Sequence, residues 1–249
     1  MIDTTTLLFR GSRFAAARSV TYNPSKTTKH IGVGNSKCME ASDASSFSCP
    51  GGVVEKNHLG ELTGVLKERA CEIVSEVLGK KSEEEKERMI LEGLERCRES
   101  GLCTVATNEI NGGVKAYEKI WREGRLKTRV YLTPMQEEIE EANGGLLPRR
   151  TSDGMLQMNR VKIFCDGSLG AGTAAISLPG SSPGSPPSLG LLTHTDSALT
   201  SKIELAKRKG WRVEIHAIGD RAAEQVLKCA MDAGIGREDR AVITHCQVS

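Results

Sequence analysis

Hydrophobic and polar positions follow two alternating patterns along the chain from about residue 61 onward. Stretches with apolar residues three or four positions apart, typical of amphipathic helices, are separated by short continuous apolar runs, typical of buried strands. The pattern predicts helices at about 63–78, 82–98, 113–123, 135–142, 196–209 and 220–232, and strands at about 102–107, 128–133, 160–165, 211–216 and 241–246. Strands that alternate with helices predict an α/β fold with a parallel sheet and right-handed crossovers.

Local signals define several of these boundaries. Ser82 followed by Glu85 forms a capping box at the start of the second helix, and Gly101 suits the left-handed residue that ends it. A segment rich in Gly, Ser and Pro, residues 166–193, is predicted to be a long loop after the third strand. Because loops at the carboxyl ends of parallel strands carry the chemistry of such folds, this loop is a candidate for the functional region.

The amino-terminal segment has no sustained period, so we expect residues 1–49 to be poorly structured and the folded domain to span 50–249. Residues 1–38 are rich in Ser and Thr and contain one acidic residue, Asp3, against six basic residues: Arg10, Arg13, Arg18, Lys26, Lys29 and Lys37. This composition is typical of an organelle transit peptide. The alternative is a tail that carries no targeting signal.

Composition narrows the expected partners and compartment. The net charge is +2, from 34 basic and 32 acidic residues, which gives no electrostatic reason to expect nucleic acid or an anionic membrane as a partner. The sequence contains no run of 18 apolar residues, so no transmembrane helix is predicted. The eight cysteines form no C-x-x-C pair, which favours reduced, mostly buried thiols in an intracellular, most simply cytoplasmic, protein.

Three polar residues fall within or at the ends of the last three apolar strands: Lys162, His216 and His245. A buried lysine must be paired, neutralised or chemically modified, because burying a bare ammonium group is costly. Two histidines at the carboxyl ends of successive parallel strands would converge at one rim, where neutral imidazoles suit Zn²⁺ or a similar ion. Spacing alone leaves open that the histidines are hydrogen-bonded core residues and that the lysine lies at an exposed edge.

Five motifs in sequence order carry a resemblance to metal-dependent amidohydrolases of family 3, the YtcJ-like branch. They are GELTGVLKE at 60–68, GLCTV at 101–105, VKIFCDGSLG at 161–170, HAIGDRA at 216–222 and ITHCQ at 243–247. Each short motif is moderately specific, whereas their occurrence in the family's order is strongly so. The resemblance covers the chain from about residue 50 to 249.

The resemblance implies a (β/α)8 TIM barrel that hydrolyses carbon–nitrogen bonds of small, non-peptide amide-type substrates with one or two divalent metals, most simply zinc. By motif, Lys162 matches the fourth-strand lysine, which can be carboxylated and act as a metal ligand. His216 and His245 match the ligands of the fifth and sixth strands. Counted this way, the strands predicted here are about the second to the sixth of an incomplete barrel, and we expect self-association through exposed sheet edges.

The sequence also departs from the family pattern. It contains no His-x-His pair, which the family places on the first strand, and no match to the aspartate of the eighth strand, which would act as general base. The competing hypothesis is therefore a truncated, catalytically inactive relative that acts as a binding protein, or an incomplete gene model. Asp166, directly after the third predicted strand, has two interpretations: it lines the substrate pocket or it caps the loop.

Overall fold

The computed structural model describes residues 22–24, 31–48, 52–74, 81–109, 112–140, 146–179 and 188–248. Its strands are β1 (Tyr22–Pro24), β2 (Ile31–Gly34), β3 (Gly52–Lys56), β4 (Leu62–Glu68), β5 (Thr104–Glu109), β6 (Arg129–Pro134), β7 (Arg149–Arg150), β8 (Leu156–Met158), β9 (Arg160–Phe164), β10 (Arg212–Ala217) and β11 (Val242–His245). Its α-helices are α1 (Ser36–Ala41), α2 (Glu83–Glu99), α3 (Val114–Arg122), α4 (Gln136–Glu140), α5 (Asp196–Arg208) and α6 (Asp220–Asp232).

Five parallel strands, β5, β6, β9, β10 and β11, occur where the sequence predicts strands. β5 pairs with β6, and β10 pairs with both β9 and β11, in each case parallel. A parallel bridge between Met135 and Lys162 joins the end of β6 to β9. The α/β prediction is therefore confirmed, and the strands follow one another in chain order. That they belong to an incomplete barrel stays a prediction.

The helices α5 and α6 cover one face of the β9–β11 sheet. Each helix buries residues spaced three or four apart, so one side of the helix faces the strands. The buried side chains are Leu199, Ile203 and Ala206 on α5 and Ala222, Val226 and Cys229 on α6, together with Val213 and Ile215 on β10. This packing holds β10 between two neighbouring strands and fixes the position of its carboxyl end.

The prediction of a helix at 63–78 is wrong for its first half, whereas residues 72–74 are helical and residues 75–78 lie outside the described residues. Residues 62–68 instead form β4, which pairs antiparallel with β2 on one side and β3 on the other. A short 3₁₀ turn, Arg69–Cys71, follows it. The apolar residues of this segment fit both periods, and pairing with two neighbours decides between them. Gly64, with φ of +87°, lets the backbone of Gly34 approach to 2.5 Å of the point where a Cβ would lie.

The expectation of a poorly structured segment does not hold for residues 31–48. β2 joins the antiparallel sheet, whose order is β1-β2-β4-β3, and α1 packs on it. A separate apolar cluster forms there from Cys38, Met39, Ala44, Leu66, Ala70 and Val74. A strand of four residues, IGVG, is too short to produce a period that sequence analysis can detect. Residues 1–21 and 25–30, on which most of the transit-peptide hypothesis depends, lie outside the described residues.

The capping box that begins α2 is confirmed. The Ser82 hydroxyl accepts from the backbone N–H of Glu85 at 3.2 Å, and the Glu85 carboxylate accepts from the backbone N–H of Ser82 at 2.9 Å. Gly101, with φ of +81°, ends the helix as expected. Within the part of the chain that is described, no helix combines the length and the apolar character needed to cross a lipid bilayer.

Candidate metal site

The candidate site lies at the carboxyl ends of β9, β10 and β11. In the parallel register, Lys162 lies opposite Glu214, and His216 lies opposite both Phe164 and Thr244. Residues at paired positions of neighbouring strands project from the same face of a sheet. The strand register therefore brings one lysine, one glutamate, one histidine and one threonine side chain together on a single face.

Among the described residues, Lys162 is the largest fully buried side chain, with 1% of its surface exposed. Its Nζ donates to Glu214 Oε1 at 2.9 Å and to Thr244 Oγ1 at 2.8 Å. It also lies 5.6 Å from the centre of the Phe164 ring, a cation–π distance. Of the three possibilities for a buried lysine, the structure shows pairing. The carboxylate of Glu214 offsets the cost of burying the ammonium group.

His216 and His245 are in direct ring contact. Their ring centres are 4.7 Å apart, and the rings meet nearly edge to face, at 71°. Strand alternation alone would place His245 on the face opposite Thr244. The backbone of His245, however, has φ of +82° at the end of β11, so it leaves the extended conformation there. The structure thus brings together the two histidines that sequence analysis singled out, with Lys162 two positions before the Phe164 ring that also contacts His216.

The hydrogen bonds of His216 define its tautomer. Its Nε2 lies 2.8 Å from the carbonyl oxygen of Gly167 and 3.3 Å from Asp166 Oδ1. Both partners are acceptors, so Nε2 must carry a proton and donate it. In the neutral imidazole the lone pair is then on Nδ1, which is the nitrogen that could coordinate a metal ion.

Asp166 is a completely buried carboxylate that accepts from three backbone N–H groups. Oδ2 accepts from Ala175 at 3.0 Å and from Gly219 at 2.8 Å, and Oδ1 accepts from Ile218 at 2.9 Å. These bonds tie the loop after β9 to the turn between β10 and α6. Because backbone donors surround the carboxylate, this geometry favours the loop-capping interpretation of Asp166 over the pocket-lining one.

The HAIGDRA motif is the surface on which that loop is held. Gly219 has no room for a side chain, since a Cβ would overlap the backbone of Ala175. Asp220 accepts from the backbone N–H of Ser177 at 2.8 Å, and the N–H of Arg221 donates to the carbonyl of Ala175 at 3.1 Å. Sequence analysis matched this motif but assigned a role only to its histidine. Gly219 within the motif is the sequence feature that indicates a close approach between two backbone segments.

Two titratable groups near the site have shifted pKa values. Burial, aided by the charge of Asp166, raises the pKa of the Cys165 thiol to about 12, so this cysteine stays protonated. Burial, aided by the charge of Lys202, lowers the pKa of His194. His194 is half-buried, whereas His58 is exposed. His30 lies outside the described residues.

The donor set fits a metal ion in part. The two adjacent imidazoles suit a divalent transition metal such as zinc. Among the residues that the structure describes, however, no group of three or more His, Cys, Asp or Glu side chains is arranged to hold a metal ion. A carbamate on Lys162 does not fit this arrangement, because it would place a second negative charge beside Glu214.

A comparison with protein families identifies the chain. Residues 23–249 match a family model described as an amidohydrolase family. The chain belongs to the amidohydrolase family. It is also 30% identical over 206 residues to a protein of Bacillus subtilis (strain 168) called putative amidohydrolase YtcJ, a match that covers 80% of this chain and 38% of that protein. The resemblance seen in the motifs is thus confirmed.

Two solved structures share the fold of the chain. An uncharacterized metal-dependent hydrolase from Pyrococcus horikoshii OT3 is 27% identical, with a TM-score of 0.62 over 82% of this chain and 41% of that one. An uncharacterized metal-dependent hydrolase from Pyrococcus furiosus is 28% identical, with a TM-score of 0.61 over 83% and 42%. The chain therefore spans about two fifths of the length of these relatives.

Proposed function

We propose that this chain supplies part of the site of a metal-dependent hydrolase that cleaves carbon–nitrogen bonds of small, non-peptide amides. The observation that carries the proposal is the ring contact between His216 and His245 beside the buried Lys162. Membership of the amidohydrolase family and likeness to two structures named metal-dependent hydrolases support it. The strands β5, β6, β9, β10 and β11 would then be the second to sixth strands of a (β/α)8 barrel.

His216 and His245 are the residues that would hold a divalent metal, for which zinc is our proposal. A bound metal of this kind supplies Lewis acidity toward the carbonyl group of an amide. Gly167 and Asp166 hold the His216 ring through Nε2, and Nδ1 is the atom that we propose as the metal ligand. Partners of this kind fix the tautomer and ring orientation of a metal ligand and influence its affinity.

Lys162 enters the proposal as a cation in the arrangement observed. Its ammonium group, held by Glu214 and Thr244, places a buried positive charge near the Phe164 ring, which in turn contacts His216. Lysine carboxylation would require Glu214 to move away or to become neutral. The carbamate therefore remains a proposal that depends on a rearrangement of this ion pair.

Hydrolysis is tested with the chain as it exists. Purified protein loaded with Zn²⁺ is incubated with a panel of N-acyl derivatives of small primary amines, and the released primary amine is measured by fluorescence. The proposal expects release that a chelator abolishes and that is lost in His216→Ala but kept in His58→Ala, because His58 is an exposed residue in the turn between β3 and β4. Amine release that survives the chelator or the His216 substitution would contradict it.

A second candidate function is metal-dependent binding without hydrolysis, by a catalytically inactive relative. The ion pair between Lys162 and Glu214 favours this candidate. In the family the lysine at this position can act as a metal ligand, whereas here its amino group is bound to Glu214. In the same assay, this candidate predicts that metal binds but that no amine is released from any substrate of the panel. Bound metal with chelator-sensitive turnover would exclude it.

We also propose self-association through the sheet edge at β11. Val242 is 37% exposed there, on a strand that pairs with β10 on one side. Exposed parallel edges present backbone donors and acceptors that favour pairing with another chain. Sedimentation velocity at several concentrations is expected to show mass that rises with concentration, whereas a single monomeric species throughout would contradict the proposal.

A further inference from the structure

Glu68 ends β4 in a backbone conformation that is rare for any residue with a side chain. Its φ is +53° and its ψ is −130°. Such conformations are energetically costly and persist where the surrounding structure enforces them, often at functional sites. Glu68 belongs to the antiparallel sheet, yet its side chain reaches a loop that belongs to the candidate metal site.

The Glu68 carboxylate contacts the glycine-rich loop after β9. Its Oε1 accepts from the Thr173 hydroxyl at 2.5 Å, across 105 positions of sequence. Together the two side chains close over Gly167, where an added Cβ would overlap both Glu68 Oε1 and Thr173 Oγ1. Thr173 is buried, and Glu68 is half-buried. The absence of a side chain at position 167 is therefore what allows Glu68 to approach.

A continuous series of hydrogen bonds leads from Glu68 to His216. The Thr173 hydroxyl, which donates to Glu68, accepts from the backbone N–H of Ser168 at 3.0 Å. That N–H and the carbonyl oxygen of Gly167 belong to the same peptide group. The carbonyl oxygen in turn lies 2.8 Å from Nε2 of His216. One peptide group thus has Thr173 and Glu68 at one end and the imidazole at the other.

We propose that Glu68 is a positioning residue for His216, acting through Thr173 and the Gly167–Ser168 peptide. A carboxylate that accepts from Thr173 makes its hydroxyl oxygen a better acceptor for the Ser168 N–H, and this polarises the peptide carbonyl toward Nε2. The carboxylate thereby favours the tautomer with hydrogen on Nε2. This inference deepens the proposed function and rests on it only in treating His216 as a metal ligand.

The test reads the His216 tautomer directly in the metal-free protein. Long-range ¹H–¹⁵N NMR spectra of protein with ¹⁵N-labelled histidine distinguish Nε2–H from Nδ1–H, and only five histidines contribute signals. The His216 signals are assigned by their loss in His216→Asn. The wild-type chain is expected to show the Nε2–H pattern, and Glu68→Ala and Thr173→Val are each expected to shift it toward a mixture of tautomers.

Further variants separate the carboxylate from the strained backbone. Glu68→Gln keeps an oxygen acceptor for Thr173 and is expected to retain the Nε2–H pattern. Glu68→Gly relieves the backbone strain, so it is expected to unfold at a higher temperature than Glu68→Ala while showing the same disturbed tautomer. Glu55→Ala is the matched control, because Glu55 lies on the same sheet and pairs with Lys67 instead. It should leave the His216 signals unchanged.

A second measurement compares Zn²⁺ affinity by calorimetry. Loss of a partner that orients a ligand typically weakens metal binding about 10–100-fold, and we expect this for Glu68→Gly but not for Glu55→Ala. An unchanged His216 tautomer in both Glu68→Ala and Glu68→Gly would overturn the inference, whatever the metal affinity. Failure of the wild-type chain to bind Zn²⁺ would instead count against the proposed function alone, because the NMR result needs no metal.

Discussion

Replacing Asp166 with asparagine changes one atom of a buried carboxylate on which two segments depend. In the wild-type chain its two oxygens accept from the backbone N–H groups of Ala175, Ile218 and Gly219. The amide of asparagine keeps one oxygen and turns an NH₂ group toward at least one of these donors. One or two buried N–H groups then lose their acceptor, at about 1–3 kcal/mol each, so we expect a loss of about 1–6 kcal/mol in the free energy of unfolding.

Urea unfolding followed by circular dichroism measures this loss from the shift of the midpoint at an unchanged slope. Asp220→Asn is the comparison variant: this carboxylate accepts from the Ser177 N–H close by, but it is only half-buried, so a smaller shift is expected. A loss below about 1 kcal/mol for Asp166→Asn would refute the view that the three backbone N–H groups depend on the Asp166 carboxylate as their acceptor.

Three further predictions follow from other parts of the structure. Glu214→Ala leaves the buried Lys162 ammonium group without its carboxylate partner and should destabilise the chain by about 3–5 kcal/mol in urea unfolding. Lys162→Met should cost less, and a larger loss for Lys162→Met than for Glu214→Ala would contradict a charged Lys162. Because burial lowers the pKa of His194, the unfolded state binds more protons, so stability should fall as pH drops below about 6.5. Thermal unfolding from pH 5 to 8 should show a smaller loss of stability at low pH for His194→Gln than for the wild-type chain. The same pH dependence in both proteins would contradict this prediction. Gly93→Ala, inside α2 with open space around it, should stabilise by about 0.5–1 kcal/mol, and a lower midpoint would contradict it.

The parallel strands could be predicted because their apolar runs are continuous and bounded by glycines. β9 to β11 and the helices α5 and α6 lie within a residue or two of their predicted positions. The segment 62–68 could not be assigned correctly, because its apolar residues fit a helical period and only pairing with β2 and β3 makes it a strand. Antiparallel pairing between distant segments has no local sequence signal.

The site shows the same division between local and non-local information. Lys162, His216 and His245 were detectable because each interrupts or ends an apolar run. The ion pair of Lys162 with Glu214 depends on the register of two strands, which the sequence pattern did not define. The role of Glu68 depends on an unusual backbone conformation and on a contact across 105 residues, and neither leaves a pattern along the chain.

The central claim is that His216 and His245 together hold a divalent metal ion, and Co²⁺ tests it most directly because its visible spectrum reports its ligands. Titration of the purified chain with Co²⁺ should produce visible absorption bands that saturate near one equivalent, as expected for nitrogen ligation by imidazole. These bands should disappear in His216→Ala and in His245→Ala and persist in His58→Ala. Saturable bands of unchanged intensity in both single variants, or no bands in the wild-type chain, would contradict the claim.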